Sequence, residues 1–223
     1  MNVEERIQRR LGPKGLERIE EAVRRAEAGS SGEIAVYVAW RSDSYPEAPW
    51  LAAALAGAGA CLALFVADLR SPLWTPLHQL VTAVLAAAGA GALAGRFVPA
   101  IRRLLAGRSR IDAMVRRRAE EVFLCRELFK TQRRTGILLF VSLFERRAVV
   151  VADSGISAKV GQSEWDRVVA HVTDNARSGA LVDGIVKAVE RCRGLLLQNG
   201  FLAGPGDRNE LSDRPMIDEG KGQ

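Results

Sequence analysis

Two stretches of this chain carry no charged residue, Ala48 to Ala67 and Ser71 to Gly95. A helix crosses a hydrocarbon core about 30 Å thick with roughly 20 apolar residues, each rising about 1.5 Å. Both stretches reach that length, and a core helix of a soluble protein rarely runs so far without a charge. The mean hydropathy of +0.01 hides them, because it averages them with a strongly polar remainder. Pro46, Pro49, Pro72, Pro76 and Pro99 sit at their edges, where helices start, stop or bend. Trp50 and Trp74 lie near the ends, as interfacial anchors do. The connection from Leu69 to Pro76 holds no domain, so the two helices are antiparallel neighbours. Small residues recur every fourth position, Ala53, Gly57 and Cys61 on the first helix and Ala87, Gly91 and Gly95 on the second. That spacing lets backbones approach where lipid removes the usual hydrophobic drive. The sequence therefore predicts a transmembrane hairpin at 49–101, with helices at about 49–69 and 76–99.

Arginine placement orients it. Seven arginines (Arg102, Arg103, Arg108, Arg110, Arg116, Arg117 and Arg118) face one acid, Asp112, just after the second helix. The connecting loop has Arg70 opposed by Asp68. Positive residues stay on the cytoplasmic side, which predicts a two-pass protein of the plasma (inner) membrane with both termini in the cytoplasm. Met1 to Arg10 has no apolar signal-peptide core. The arginine cluster accounts by itself for the formal charge of +6. It serves as a topology determinant, and Arg102, Arg103, Arg108 and Arg110 are candidates for anionic lipid headgroups. No basic face with base-reading or stacking residues exists elsewhere, so nucleic acid is not an expected partner. The three cysteines, Cys61, Cys125 and Cys192, have neither disulfide nor metal spacing.

The flanking segments read as one α/β domain in two parts, 1–48 and 102–203, followed by a disordered tail over 204–223. Leu16, Ile19, Val23 and Ala26 mark a helix over Pro13 to Ala28. Ile34, Val36, Val38 and Trp40 alternate as a strand does. Ile111 to Thr131 is helical again, and Gly136 to Leu143 is an apolar run typical of a central strand. After the turn Glu145-Arg146-Arg147, Ala148 to Ala152 completes a hairpin. A helix begins at Ser163, with Asp166 in a near capping-box position, and Gly179 stops it. A last helix carries Leu181, Ile185, Val189, Cys192 and Leu196. The first strand has no partner except beyond the membrane hairpin. One small mixed sheet flanked by helices is therefore expected to close across it.

Arg134 to Ile156 (RTGILLFVSLFERRAVVVADSGI), the helix SEWDRVV, Ser31 to Val38 (SGEIAVYV) and Asp207 to Leu211 (DRNEL) together resemble the TPM-domain family. The likeness is greatest to its bacterial branch of uncharacterised membrane proteins with a transmembrane hairpin inside the domain. The resemblance implies a TPM-like fold. Members of that family include a thylakoid-lumen protein with acid phosphatase activity, a photosystem repair factor and an accessory receptor subunit, so the fold does not settle the chemistry. Many relatives place the domain outside the cytoplasm, whereas the arginines here argue for inside.

Two functional readings follow. In the first, the chain is a membrane-anchored accessory or interaction module for a membrane-protein partner or for its own oligomer. In the second, it is a membrane-tethered, metal-assisted phosphatase. Asp153, Gly155 and Glu145 are the residues that could build a metal or anion pocket, and a divalent cation is the one cofactor such a pocket would take. Against it, Asp-Ser-Gly after a strand is ordinary turn chemistry, with Asp capping backbone and Gly taking positive φ. Glu145, Arg146 and Arg147 read as a solvated hairpin tip or as a tip that meets an anion or a partner. No GxSxG, P-loop, GxGxxG or HExxH motif occurs, and the reading leans away from an enzyme.

Overall fold

The computed structural model describes residues 2–70, 74–204 and 210–218. In chain order its first elements are α1 (Val3–Leu11), α2 (Pro13–Glu27), β1 (Glu33–Ala39), α3 (Glu47–Arg70), α4 (Leu77–Phe97) and α5 (Pro99–Ala106). The rest are α6 (Arg108–Cys125), β2 (Gly136–Ser142), β3 (Arg147–Ala152), α7 (Ser154–Ser157), α8 (Gln162–Arg177), α9 (Leu181–Gln198) and β4 (Met216–Ile217). The chain divides into two compact units, Met1–Asp43 with Ala113–Gln223, and Ser44–Asp112. The breaks fall at 43/44 and 112/113, where the sequence placed them at 48/49 and 101/102.

The discontinuous unit is a four-stranded mixed sheet in the order β3-β2-β1-β4 with flanking helices. β1 and β2 run parallel, from Glu33 opposite Gly136 to Ala39 opposite Ser142. Ile34, Val36 and Val38 thus lie beside the apolar run of β2, as expected. β2 and β3 form the antiparallel hairpin. On one face, Ile34, Val36, Val38, Ile137, Leu139 and Val141 are buried in a single core with Ile19 and Val23 of α2, Val168 and Val172 of α8, and Ile185 and Val189 of α9. On the other face, the rings of Tyr37 and Phe140 stack with centroids 5.6 Å apart. Neither face of β1 or β2 meets water, which is why β2 reads as an unbroken apolar run.

Three local features depart from the sequence reading. First, α1 is folded although Met1 to Arg10 reads as merely polar. Val3, Ile7 and Leu11 recur at helical spacing, Ile7 and Leu11 are buried, and the Asn2 side chain accepts from Val3 N at 2.7 Å. Second, the near capping box at Ser163 is not used, because α8 starts one residue earlier behind Gly161, with no side-chain cap. Third, the tail expected to be disordered from 204 is ordered over 210–218. Met216 and Ile217 pair parallel to Tyr37 and Val38, and Asp218 N donates to Val38 O at 3.0 Å. Backbone pairing to the open edge of β1, not side-chain burial alone, holds this short strand, so composition could not reveal it. Residues 205–209 and 219–223 of that tail, with most of the DRNEL string, lie outside the described residues.

The second unit is built on α3 and α4, which pack antiparallel. By length and composition both could cross a membrane. At 24 and 21 residues they extend about 36 and 32 Å. A Cβ on Gly91 would lie 2.5 Å from Ala52 O and 2.7 Å from Ala56 Cβ, and one on Gly95 would lie 2.8 Å from Ala52 Cβ. Gly91 and Gly95 of the expected α4 stripe make this contact. On α3 the stripe is Ala48, Ala52 and Ala56, with Gly57 meeting Ala88, while Cys61 of the expected stripe is exposed. Pro72 lies outside the described residues. Val98 then breaks the helix, Pro99 starts α5, and Gly107 at φ 75° separates α5 from α6.

Candidate functional site

The residues singled out in the sequence fall at opposite ends of the sheet. Glu145 sits in the turn beyond Ser142, whereas Asp153 follows Ala152, which pairs with Ile137 at the other end of β2. Five residues of strand separate the two ends, about 17 Å at the usual rise per residue. Glu145 and Asp153 therefore do not share one pocket.

Glu145 is not a solvated tip. It is 2% exposed, accepts from Ser42 N at 2.9 Å and from Ser142 Oγ, and Ser42 Oγ bonds Ser142 Oγ at 3.1 Å. Its carboxylate ties the point where the chain leaves β1 for the insertion to the end of β2. A charged side chain turns inward here because the freed N–H of Ser42 needs an acceptor in a buried place. Arg146 is the exposed member of the turn and adopts φ 54°, and Arg147 is half-buried at the start of β3.

Asp153 is buried at 6% exposure and caps α7, with Oδ1 accepting from Ser154 N at 2.6 Å and from Ser154 Oγ at 3.2 Å. Its Oδ2 makes no hydrogen bond but lies 3.5 Å from Nε of Arg134. The guanidinium compensates the carboxylate and works against a second cation at the same oxygen. Gly155 is not a positive-φ glycine. It is needed for close approach, since a Cβ there would lie 2.6 Å from Arg134 O and 2.7 Å from Arg133 O.

An acidic cluster that the sequence did not reveal forms at this same end of the sheet. Glu27, at the end of α2, accepts from Ile34 N at 2.7 Å. Burial pushes its carboxyl up to about 9, and the neighbouring Glu33 and Asp213 carboxylates push in the same direction, against the Ile34 N–H. Glu33 accepts from Leu211 N at 3.1 Å, and Glu210 accepts from Gln132 N at 3.0 Å. Segment 210–218 thus closes over the cluster by spending acceptors on backbone donors. The signal lay in Glu27 and Asp213 being 186 positions apart, which no local pattern connects. At the other end of that segment Tyr37 OH donates to Asp218 Oδ1 at 3.5 Å, and burial raises the phenol above its usual range. Among the described residues, no three His, Cys, Asp or Glu side chains form a group able to hold a metal ion.

The Glu27 proton has a measurable consequence. Its folded value near 9 exceeds the ordinary 4.5, so the folded state binds that proton more tightly than the unfolded chain does. The stabilisation is fully present below about pH 4.5 and is lost as pH rises towards 9. Glu27→Gln keeps the shape but cannot titrate. Urea melts at pH 5, 7 and 9 should show wild type losing stability relative to Glu27→Gln as pH rises. A constant difference would refute the assignment.

The arginines assigned to lipid headgroups divide as well. Arg102 donates to Gly95 O and Arg96 O, and so satisfies carbonyls that the end of α4 leaves without intrahelical partners. Arg110 pairs with Glu47 at 3.0 Å. Arg108 is exposed and Arg103 half-buried.

Comparison with known proteins bears on this arrangement. Residues 98–195 match the family described as the TPM domain. That span takes in β2, β3, Asp153 and most of α9, and stops short of β1 and the α3–α4 pair. No curated protein matches the chain. Among solved structures, the NMR structure of BA42 protein from the psychrophilic bacterium Bizionia argentinensis is similar, at 18% identity and a TM-score of 0.56. The match covers 92% of this chain and 93% of that one. At that identity the likeness is one of fold alone. Residues 98–195 are thus similar to the TPM domain, and the discontinuous unit of this chain has the TPM-like fold.

Proposed function

We propose that this protein is a two-pass membrane protein whose TPM-like unit is a cytoplasmic interaction module for a membrane-protein partner or a second copy. The observation that carries the membrane part is the outward surface of α3 and α4. Trp50, Leu55, Leu62, Phe65 and Leu69 on one, and Leu77, Leu85, Leu93 and Phe97 on the other, are exposed along the whole length of the pair. Apolar surface on that scale needs lipid or protein around it. The arginine excess after α4 supports a cytoplasmic placement of both termini.

The interaction reading rests on how the polar groups are used. Glu145 is committed to Ser42 and Ser142, Asp153 to Ser154 and Arg134, and Glu33 to Leu211. These contacts hold the fold together and leave Arg146 as the exposed cation of the β2–β3 turn. The metal-assisted phosphatase retains one supporting observation, the unbonded Oδ2 of Asp153. One experiment separates the two. The detergent-purified protein and its Asp153→Asn variant are compared in calorimetry with calcium and magnesium and in a phosphate-ester assay. The interaction reading expects no turnover in either, with Asp153→Asn costing little stability because Asn also caps helices. Metal-dependent turnover that disappears in the variant would replace it with the phosphatase.

A further inference from the structure

We propose that α5 lies in the membrane interface as an in-plane helix, its exposed side set among acyl-chain ends and anionic headgroups. The inference rests on the membrane reading of α3 and α4 and extends it to a segment that does not span. Length excludes α5 from crossing, since it has eight residues. It is not a continuation of α4 either, because extended Val98 and then Pro99 break the helix between them.

The side chains show an inverted distribution. The face of α5 that packs within its own unit includes Arg102, whose guanidinium is bound to the last carbonyls of α4, and Ala106, which is buried. The face that points away carries Leu104 at 79% exposure, with Phe97 and Val98 also exposed at the corner that leads into the helix. A water-facing helix would place these residues the other way round. Arg96 and Arg108, both exposed, flank this apolar stripe. Long cationic side chains on either side of an apolar stripe suit an interface, where stems lie along acyl chains and guanidinium groups reach phosphate. The charge sign selects the lipid. A positive rim without acids on this stretch complements an anionic leaflet. Arg102 is bound to the α4 carbonyls and Arg110 is paired with Glu47, so Arg96 and Arg108 take the headgroup role.

The test uses the full chain in vesicles, with a spin label at position 104 through Leu104→Cys. Cys61 and Cys125 are replaced by Ala and Ser. Cys192 is retained, being fully buried with its thiol pushed up to about 12. A label at Leu62→Cys, in the middle of α3, reports the membrane reading, and one at Arg177→Cys gives the aqueous reference. In phosphatidylglycerol-containing vesicles the label at 104 should be several-fold less accessible to a water-soluble nickel chelate than the label at 177. That protection should shrink in pure phosphatidylcholine and in Arg96→Gln/Arg108→Gln. A label at 104 as accessible as that at 177, with 62 lipid-protected, overturns the placement of α5 and leaves the hairpin standing. Protection at 104 that is equal in both lipids overturns the anionic selectivity. Water access at 62 and 104 alike overturns both readings.

Discussion

Gly136→Ala should destabilise the TPM-like unit by about 3 kcal/mol or more, enough to lower its melting temperature by roughly ten degrees or to leave it unfolded. The added Cβ would sit 2.1 Å from Leu128 O, a backbone atom that cannot swing aside. Leu128 itself is buried, and the loop it belongs to is held by Thr135 N donating to Thr131 Oγ1 at 2.9 Å and by Thr135 Oγ1 donating to Ser31 O at 2.7 Å. Moving that carbonyl would disturb β1, β2 and the loop together. Gly194→Ala is the matched control. Gly194 lies within α9 with nothing within 4 Å of its Cβ position, so alanine there should be neutral or stabilising by up to about 1 kcal/mol. Thermal melts of the two variants decide it. A Gly136→Ala protein that melts with wild type would show that the loop is free to retreat and that Leu128 O does not close this end of the sheet.

These glycines mark the boundary of what the sequence made legible. The strands were readable because their side chains state their surroundings. Gly136 to Leu143 has no charge in a segment covered on both faces, and Ile34, Val36 and Val38 alternate towards one core. The pairing of β1 with a strand beyond the insertion followed from its needing a partner, although the insertion separates them. The readings that changed all depend on backbone atoms or on distant partners. Gly155 reads as a turn glycine, but what requires it is the approach of two carbonyls from residues 133 and 134. Glu145 stands in a charged tripeptide that looks solvent-facing, and its burial goes with hydrogen bonds from the Ser42 N–H, 103 positions away, and from Ser142 Oγ. β4 and the Glu27–Asp213 contact come from a segment whose composition resembles disorder. Its order is supplied by hydrogen bonds to Glu33, Gln132 and Val38. Side-chain pattern foretells burial, whereas backbone acceptors and donors find their partners only in three dimensions.

The second large effect should be a gain of solubility. Replacing 44–112 by a flexible Gly/Ser linker should give a protein that is soluble without detergent and still melts cooperatively. The discontinuous unit keeps its whole sheet, its apolar core and the Glu145 contacts to Ser42 and Ser142, since none of these residues lies in the replaced segment. What is lost is the surface of α3 and α4, most of it exposed, together with α5 and the first turn of α6. A serine placed before Ala113 would cap the shortened α6, a contribution of about 1 kcal/mol. Closing a shorter loop is entropically easier, by about 1 kcal/mol for a several-fold shortening, and a linker of about ten residues has an end-to-end distance of about 17 Å. Two linkers, of about ten and about twenty residues, guard against a span the shorter one cannot reach. Both should elute as a folded species without detergent and unfold in one urea transition with the slope expected for a domain of this size. If every linker length yields aggregates or a non-cooperative melt, then the hairpin is a structural part of the fold, and the TPM-like unit is not an autonomous domain interrupted by an insertion.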